Sequence, residues 1–436
     1  EPKITEEAQT VIYKWEVGDT KSFRPEPQMP PAEEIIPMLQ VSTYGNWGEF
    51  GRWYWQLIKR TYDFNDEMRL KLKELVPDKN ISELEKINAV YNFVISEIRY
   101  EAWEYGIHGW QPYNASTIFA RKFGDCKDKA LLINVFLKEL GIRAEPVLIN
   151  ALEEPRGEDD LTLPMIEHFN HCISGVTLKD GRPLWLDGTA SYFPMGTLPG
   201  GDLGAKVFVV NESGGELKKI PDARPDENSR DEKITGPIHQ AGQAQLVISG
   251  ALNGDQAANY RYYFINQSRA KLLIERLFGR DFGGARVTEA TFSNLADLKE
   301  PVTYRWVVEI PSFAQSRGPE LHFRAVLLPL KLLPKLCSKS ERQFDLLLNT
   351  PLVQEIKYEF VIPEQMKIKS IPENTEIKNK FGSFSMFYQI DKNSIKVVQK
   401  FRLEATRINP VDYKEFREFA GQVDRNEDKE IVLEMD

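Results

Sequence analysis

The chain has 436 residues, of which 42% are hydrophobic and 28% are charged, a composition typical of globular proteins. Because single hydrophobic cores stop growing at roughly 250 to 300 residues, this length predicts two or three domains. The formal net charge of -9 argues against nucleic acid or an anionic membrane surface as the main partner, since both attract dense clusters of Lys and Arg. No apolar run reaches the roughly 18 residues that a membrane span requires.

The N-terminal residues 1–45 are rich in proline, with Pro25, Pro27, Pro30 and Pro31 close together, and their apolar runs are short. This composition predicts an extended arm, which we interpret as the remnant of an upstream β domain. The chain opens with "EPKITEEAQT" and so shows neither an initiator Met nor the apolar region of a signal peptide. We therefore expect a processed or truncated product.

Helical periodicity begins after this arm and is clearest in "NISELEKINAVYNFVISEIRY". Ser82 is followed three positions later by Glu85, the pattern of a capping box at a helix N-terminus. Apolar residues then recur at helical spacing, at Leu84, Ile87, Tyr91, Val94 and Ile98. The pattern predicts a long helix with one buried face.

A second helix is predicted to begin at or just after Asp125 and Cys126 and to end at Gly141, a residue type common just beyond helix C-termini. Three strand patterns follow it, at residues 142–150, 171–178 and 182–190. The order of these elements predicts a helix packed on an antiparallel sheet.

Prolines and charges without an apolar anchor mark residues 221–233 as a linker. Strand-length apolar blocks follow at residues 244–252, 259–266, 302–310, 322–330, 356–363 and 394–405. A helical pattern at 268–279 interrupts them, and another at 410–424 closes the chain. We predict a mainly antiparallel, β-sandwich-like domain over residues 234–436, with one inserted helix and one terminal helix.

The three cysteines, Cys126, Cys172 and Cys337, are widely spaced and odd in number, which argues against a disulfide framework. Cys126 follows a glycine turn at the start of the second predicted helix. A cysteine is nucleophilic only as the thiolate, which a helix N-terminus and a histidine partner both favour. The neighbouring Asp125, as N-cap, would oppose the thiolate, so a cationic partner is needed.

Histidine candidates for this partner are few, since the chain has five histidines. His168 and His171 lie in "HFNHCISGV" at the head of a predicted strand, and the next strand ends in "WLDG" with Asp187. In an antiparallel pair the start of one strand lies beside the end of the other, so His171 and Asp187 can be neighbours. Each residue also fits a purely structural role, as a small buried Cys, a packed His or a turn Asp.

Three motifs occur in one order: "GDCKDKALLINVFLKELGIRAEPVLIN", "FNHCISGV" and "WLDGTA". Together they resemble the core of the transglutaminase-like superfamily, which consists of papain-type cysteine enzymes. The preceding "GIHGWQPYNASTIFARKFGDC" resembles the bacterial branch, in which β-rich domains of unknown function flank the core. The resemblance covers residues 46–220 and implies an α+β fold, with a Cys-bearing helix on an antiparallel sheet. It also implies an extracytoplasmic location, periplasmic or secreted.

The resemblance assigns Cys126 as the nucleophile, His171 as the base and Asp187 as the orienting acid. His168, three residues earlier, is expected on the other face of the extended segment.

An oxyanion hole in such enzymes combines the backbone N–H of the nucleophile with an upstream side chain. Gln111 is our candidate for the second donor and Trp110 the alternative. An exposed loop glutamine beside a packed tryptophan fits the pattern equally well.

The charged residues that follow the nucleophile, Lys127, Asp128 and Lys129, are interpreted as a solvated helix face with a salt bridge.

The predicted activity is acyl transfer from a peptide or glutamine amide through a thioester on Cys126. Water as the acceptor gives a protease or amidase, and a lysine amine gives a cross-linking transglutaminase. Hydrolysis is favoured because no acidic calcium loop of the EF-hand type appears, and no metal or other cofactor is predicted. The expected partner is a protein or peptide substrate, and no oligomeric state is indicated. The alternative is a non-enzymatic scaffold that binds peptides by strand addition.

Overall fold

The computed structural model describes residues 2–20, 22–151, 157–348 and 350–435. The N-terminal segment opens with an exposed antiparallel hairpin of β1 (Lys3–Glu7) and β2 (Thr10–Lys14). Farther along, the buried Glu26 carboxylate accepts a hydrogen bond from Lys339 Nζ at 3.0 Å and lies 3.5 Å from Arg342 Nε. This arm is therefore anchored on the C-terminal half of the chain.

Between residues 47 and 219, the described part of the chain contains five helices, seven strands of which two are only two residues long, and short 3-10 turns. The helices are α1 (Trp47–Ile58), α2 (Asp66–Leu75), α3 (Glu83–Glu97), α4 (Ala115–Arg121) and α5 (Cys126–Glu139). The strands are β3 (Arg99–Tyr100), β4 (Phe123–Gly124), β5 (Arg143–Ile149), β6 (His171–Thr177), β7 (Pro183–Leu186), β8 (Lys206–Asn211) and β9 (Gly214–Lys219).

Both predicted helices form with the expected caps. In α3 the Ser82 side chain accepts from Glu85 N, and the Glu85 carboxylate accepts in return from Ser82 N at 2.8 Å. Helix α5 begins at Cys126 with Asp125 as its N-cap, and the chain leaves it through Gly141, which has a φ of +71°. Because α5 packs on α3, α4 and the sheet at once, its first twelve residues are all buried.

The sheet of this half has the strand order β7-β6-β5-β8-β9, and all its pairs are antiparallel. Helix α5 packs across β5 and β6. His171 is the first residue of β6, and Asp187 directly follows Leu186, the last residue of β7. The antiparallel pairing of β6 with β7 therefore brings these two side chains to the same edge of the sheet.

Helix α1 lies against the turn between β8 and β9 through a close approach of two glycines. A Cβ added at Gly51 would lie 1.8 Å from Gly214 O and 2.8 Å from the ring of Phe208.

We expect Gly51→Ala to lower the free energy of unfolding by about 1 to 3 kcal/mol, because the backbone on both sides must move. Gly48→Ala is the matched control, since its Cβ meets only movable side-chain atoms at 3.1 Å and beyond. Equal melting temperatures for the two variants would contradict this packing.

The C-terminal half contains four helices and fourteen strands within the described residues. The helices are α6 (Gly254–Phe264), α7 (Ala270–Phe278), α8 (Leu332–Leu336) and α9 (Tyr413–Glu427). The strands are β10 (Ser229–Pro237), β11 (Ala244–Leu252), β12 (Arg286–Ser293), β13 (Val302–Ile310), β14 (Gln315–Arg317), β15 (Glu320–Arg324), β16 (Leu346–Leu347), β17 (Leu352–Val361), β18 (Met366–Ser370), β19 (Thr375–Asn379), β20 (Gly382–Asp391), β21 (Ser394–Leu403), β22 (Arg407–Ile408) and β23 (Glu430–Met435).

Two sheets dominate this half. The larger has eight strands in the order β12-β13-β11-β10-β17-β21-β20-β19, and the smaller has the order β14-β15-β23-β18. All described pairs in both sheets are antiparallel except β10 with β17, which run parallel. The strands of these sheets come from residues 229–435, whereas those of the five-stranded sheet come from residues 143–219.

Several predicted elements of this half are wrong. The block at 259–266 was expected to be a strand, but it lies mostly within helix α6, which buries Ala257, Arg261 and Phe264 on one face. The expected strand at 322–330 ends at Arg324. A strand, β23, follows the helix that was expected to close the chain. In each case tertiary packing overrides a short local pattern.

The predicted linker is also partly wrong, since strand β10 begins at Ser229 and so includes residues 229–233. Its charges are accommodated inside the sheet because Arg230 Nη2 pairs with Glu232 at 2.6 Å, and the Tyr304 hydroxyl also donates to Glu232.

Among the described residues, no helix has the length and apolar character to cross a membrane.

Candidate active site

Cys126 sits at the first position of α5 and is 7% exposed. The N-cap Asp125 accepts from Asp128 N at 3.2 Å, and Asp128 Oδ2 accepts from Asp125 N at 3.3 Å, so the capping box is complete. A Cβ at Gly124 would lie 2.6 Å from Asp128 Cβ, which explains the glycine before this helix. The sulfur is thereby fixed at the positive end of the helix dipole.

The charged residues after Cys126 are buried, which corrects the predicted solvated face. Lys127, Asp128 and Lys129 are at most 5% exposed, because α3, α4 and the segment before α4 enclose the helix start. Asp128 Oδ2 accepts from Arg121 Nη2 at 2.6 Å, and Tyr113 N donates to its Oδ1 at 2.9 Å. The expected salt bridge therefore exists, but inside the protein.

Burial shifts the pKa values of two of these groups. Burial, reinforced by the nearby Asp125 charge, raises the pKa of Asp128 to about 6 despite the Tyr113 N–H and Arg121. Burial lowers the pKa of Lys129 to about 8, partly offset by the charge of Asp187. Lys129 Nζ donates to Ile98 O at 2.7 Å, so this ammonium group ties α5 to the end of α3 close to the His171 site.

His171 contacts both other members of the predicted triad. Its Nε2 lies 3.3 Å from Asp187 Oδ1, and it is also hydrogen-bonded to Cys126. Because Nε2 faces the carboxylate, Nδ1 is the ring nitrogen available to the thiol. The structure thus brings Cys126, His171 and Asp187 together in that order. Their catalytic roles stay predictions.

The electrostatics of this triad favour a charged imidazole. Burial opposes protonation of His171, but hydrogen bonds with Asp187 and Cys126 prevail and place its pKa well above the ordinary histidine value. Burial likewise acts to raise the pKa of Asp187, yet His171 and two hydrogen bonds from Thr189, each 2.7 Å long, hold it below the ordinary value. An imidazolium flanked by a carboxylate and a sulfur stabilises a thiolate.

His168 ends a 3-10 turn, Ile166–His168, and does not lie on the extended segment that was expected; its Nε2 lies 2.9 Å from Leu163 O.

Of the two predicted oxyanion donors, Gln111 has another partner for its side-chain amide. Gln111 Nε2 donates to Leu57 O at 2.6 Å, a bond that holds the amide against α1. The backbone carbonyl of Trp110 accepts a hydrogen bond from the Tyr54 hydroxyl at 3.1 Å. Trp110 is 40% exposed. Which of the two side chains completes an oxyanion hole stays a prediction.

Tyr100 is a residue near the thiol that the sequence did not indicate. It pairs with Gly124 in the short parallel bridge between β3 and β4 and is 49% exposed. Burial and the nearby Cys126 charge raise the pKa of Tyr100 to about 12, so its hydroxyl stays neutral. A two-residue parallel pairing leaves no periodicity in the sequence from which this contact can be inferred.

A possible metal-ligand set overlaps the triad. His171, Asp187 and Asp202 each offer one ligand atom, and these atoms lie within 4.8 Å of one another. Imidazole nitrogen and carboxylate oxygen suit a divalent ion such as Zn²⁺. An ion held there would engage the imidazole that Cys126 also contacts. Asp202, in the segment "PGGDLG", carried no sequence signal that connects it with His171.

Beside His171 and Asp187 lies a cleft of about 1730 Å³. One wall comes from residues 151–223, and the other comes from residues 228–262 and 348–407. The sheet edge that carries the triad therefore opens toward the C-terminal half. A cleft of this size exceeds the usual volume of a small-molecule pocket and suits a polypeptide segment.

Comparisons with known families and structures agree with this fold. Residues 73–187 match the sequence model of the transglutaminase-like superfamily, and residues 324–433 match a family described as a domain of unknown function with a solved structure, DUF3858. A crystal structure titled as a "putative protease" from Parabacteroides distasonis aligns over all of this chain and 68% of its own, with a TM-score of 0.63 and 15% identity. No curated protein matches the chain.

The predicted resemblance and fold class are thereby confirmed. The chain carries a transglutaminase-like core, followed by a β-rich region with antiparallel sheets. At 15% identity, the likeness to the solved structure shows the fold alone.

Proposed function

We propose, from the transglutaminase-like core that includes residues 73–187, that this protein is a cysteine-dependent enzyme acting on peptide or glutamine amides. The observation that carries the proposal is the position of His171, which contacts both Cys126 and Asp187.

The chemistry follows the geometry. The Cys126 thiolate attacks the amide carbonyl carbon, and protonated His171 donates its proton to the leaving amine as the C–N bond breaks. The acyl group is then held as a thioester on Cys126. His171, now neutral, accepts a proton from the water that attacks the thioester, and the step releases a carboxylic acid and restores the Cys126 thiolate beside protonated His171. Asp187 orients the ring and stabilises its cationic form throughout.

Hydrolysis is the outcome that we favour, and transfer to a lysine amine is the second form of the same reaction. Both begin with the thioester and differ only in the acceptor. A peptide-binding scaffold without catalysis is the competing proposal. The bacterial, extracytoplasmic setting implied by the family resemblance belongs to the proposal as well.

Trapping the thioester tests this proposal. We expect incubation with an unstructured protein to give products with new termini, and intact-mass analysis of rapidly quenched samples to find an acyl adduct on Cys126. Hydroxylamine should remove the adduct, and the Cys126→Ala variant should form none. A fluorescent primary amine added to the reaction distinguishes aminolysis, which labels the substrate, from hydrolysis, which does not.

Chelation provides the control for the metal-ligand set. We expect EDTA to leave the turnover unchanged, because no step requires an ion. Loss of activity in EDTA together with full activity of Cys126→Ala would replace the cysteine mechanism with a metal-dependent one at His171, Asp187 and Asp202.

A further inference from the structure

We propose that the cleft beside the triad selects substrates by their Lys or Arg side chains, so that the enzyme acts on amides close to a basic residue. This inference rests on the proposed function and goes beyond it by naming the substrate class. It depends on the position, the charge and the aromatic lining of the cleft.

The position of the cleft links it to the reacting groups. His171 and Asp187 line it, and the imidazole of His171 also contacts Cys126. Cys126 does not itself line the cleft, so a polypeptide held there contacts the triad at His171 and Asp187. The side chains that the cleft holds belong to residues near the amide that is attacked.

The charge of the cleft lining is net negative, although Asp187 faces His171, Asp222 pairs with Lys219 and Glu404 pairs with Arg402. Its described lining includes seven carboxylates, of Glu158, Asp159, Asp187, Asp202, Asp222, Asp255 and Glu404. Its three Lys or Arg side chains are those of Lys206, Lys219 and Arg407. A cleft lined mainly by one sign of charge attracts ligands of the opposite sign, and low-dielectric walls strengthen the effect.

The three basic side chains of the lining are already engaged by the protein. Lys219 Nζ lies 2.7 Å from Asp222, Lys206 Nζ donates to Asp159 O at 3.0 Å, and Arg407 Nη2 lies 2.8 Å from Glu34. They therefore do little to attract an acidic substrate.

Asp255 illustrates the surplus of negative charge. Its carboxylate accepts hydrogen bonds from the Gly200 N–H and the Thr350 hydroxyl, which are both neutral groups. These bonds join the two walls of the cleft and lower the pKa of Asp255, although burial outweighs them and holds that pKa above its ordinary value. Two polar neighbours of this kind hold the carboxylate in place for a cationic ligand.

Aromatic rings add a second feature that suits a cation. Tyr192 from one wall and Tyr262 from the other meet edge to face, with ring centroids 5.9 Å apart, and both line the cleft. Tyr262 is 62% exposed, so its ring is open to a ligand. Lys and Arg bind over tyrosine faces with about 0.5 to 2 kcal/mol, and Arg does so more often. An acidic cleft with accessible tyrosines fits a basic side chain better than an acidic or apolar one.

The test compares peptide amides that differ only in charge. Arg and citrulline have nearly the same shape, but citrulline is neutral, so the ratio of kcat/KM for Arg and citrulline peptides isolates the charge. We expect a ratio of about 10 or more at low salt, because one such contact is worth about 1.4 kcal/mol or more. The ratio should fall severalfold in 0.5 M salt, which screens the exposed charges.

Tyr262→Ala should lower this ratio about two- to tenfold through loss of the cation–π contact. Tyr13→Ala is the control, because Tyr13 is 52% exposed and does not belong to the cleft lining, whereas the ring of Tyr263 packs on that of Tyr262 with centroids 5.0 Å apart. Its ratio should equal that of the wild type. An equal loss in both variants, or none in either, would overturn the role of the tyrosine pair.

Equal turnover of Arg and citrulline peptides overturns the inference while leaving the proposed function intact. The inference is also overturned if the Arg and citrulline peptides are cleaved equally and only basic amines are preferred as acyl acceptors. The cleft would then select the acceptor and not the amide that is attacked. Absence of any turnover in the wild type, by contrast, counts against the proposed function itself.

Discussion

Replacing Cys126 with Ala is expected to lower kcat/KM for a peptide amide by about 10³ to 10⁶-fold, because triad residues act as a unit and removing the nucleophile leaves only substrate binding. His171→Ala should be nearly as damaging, since this ring carries the proton in both half-reactions. Asp187→Ala should lower kcat/KM less, because Asp187 orients and stabilises the ring without touching the substrate. Kinetics on the three folded variants check this order.

Alkylation of the wild-type chain provides a substrate-independent measure of the same arrangement. Because the pKa of His171 is raised well above its usual value, the imidazole stays cationic through neutral pH and the sulfur reacts with iodoacetamide at pH 6. Burial raises the pKa of Cys337 to about 11 and that of Cys172 well above its usual value, so both should stay largely unmodified.

His171→Ala should remove the low-pH reactivity of Cys126, and Asp187→Ala should reduce it less. If Cys126 reacts no faster than Cys337 at neutral pH and His171→Ala changes nothing, the enzyme proposal fails and the peptide-binding scaffold becomes the better account.

The second large effect concerns stability. Glu427, the last residue of α9, is 1% exposed, and its carboxylate accepts from Leu330 N at 2.9 Å and Gln399 Nε2 at 2.6 Å. Burial outweighs these bonds, and the pKa of Glu427 rises to about 8. The folded state therefore binds this proton more tightly than the unfolded state does, so stability is lost as the pH rises from about 4.5 to 8.

The loss over this pH range amounts to about 5 kcal/mol, because each pKa unit corresponds to about 1.4 kcal/mol. Glu427→Gln cannot ionise, so we expect it to melt near the wild-type temperature at pH 5 and about 10 °C or more above it at pH 8.5. Glu418→Gln on the exposed face of the same helix is the control and should follow the wild type at both pH values. Parallel pH profiles for the Glu427 variant and the wild type would show that Glu427 does not titrate in this range.

The sequence by itself determined the centre of the transglutaminase-like core. A glycine turn, an aspartate cap and helical periodicity place Cys126 at the start of α5, because capping and periodicity are local properties of the chain. The approach of His171 to Asp187 also followed from sequence, since consecutive antiparallel strands bring the start of one beside the end of the next.

The tertiary structure alone decided what surrounds that centre. Lys127 and Lys129 belong to a charged string that is typical of a solvent-facing helix, yet both side chains are buried, Lys127 against Asp125 at the start of its own helix and Lys129 against Ile98 O at the end of α3. Strand β10 pairs in parallel with β17, more than a hundred residues later, although its charges indicated a linker.

Asp202 lies beside His171 and Asp187, and Tyr262 lines the cleft next to them. Nothing in the local sequence of either segment predicts these positions. Burial, long-range strand pairing and the walls of a cleft depend on which distant segments meet. Local propensity carries no information about such contacts, because their free energy arises only when the chain has folded.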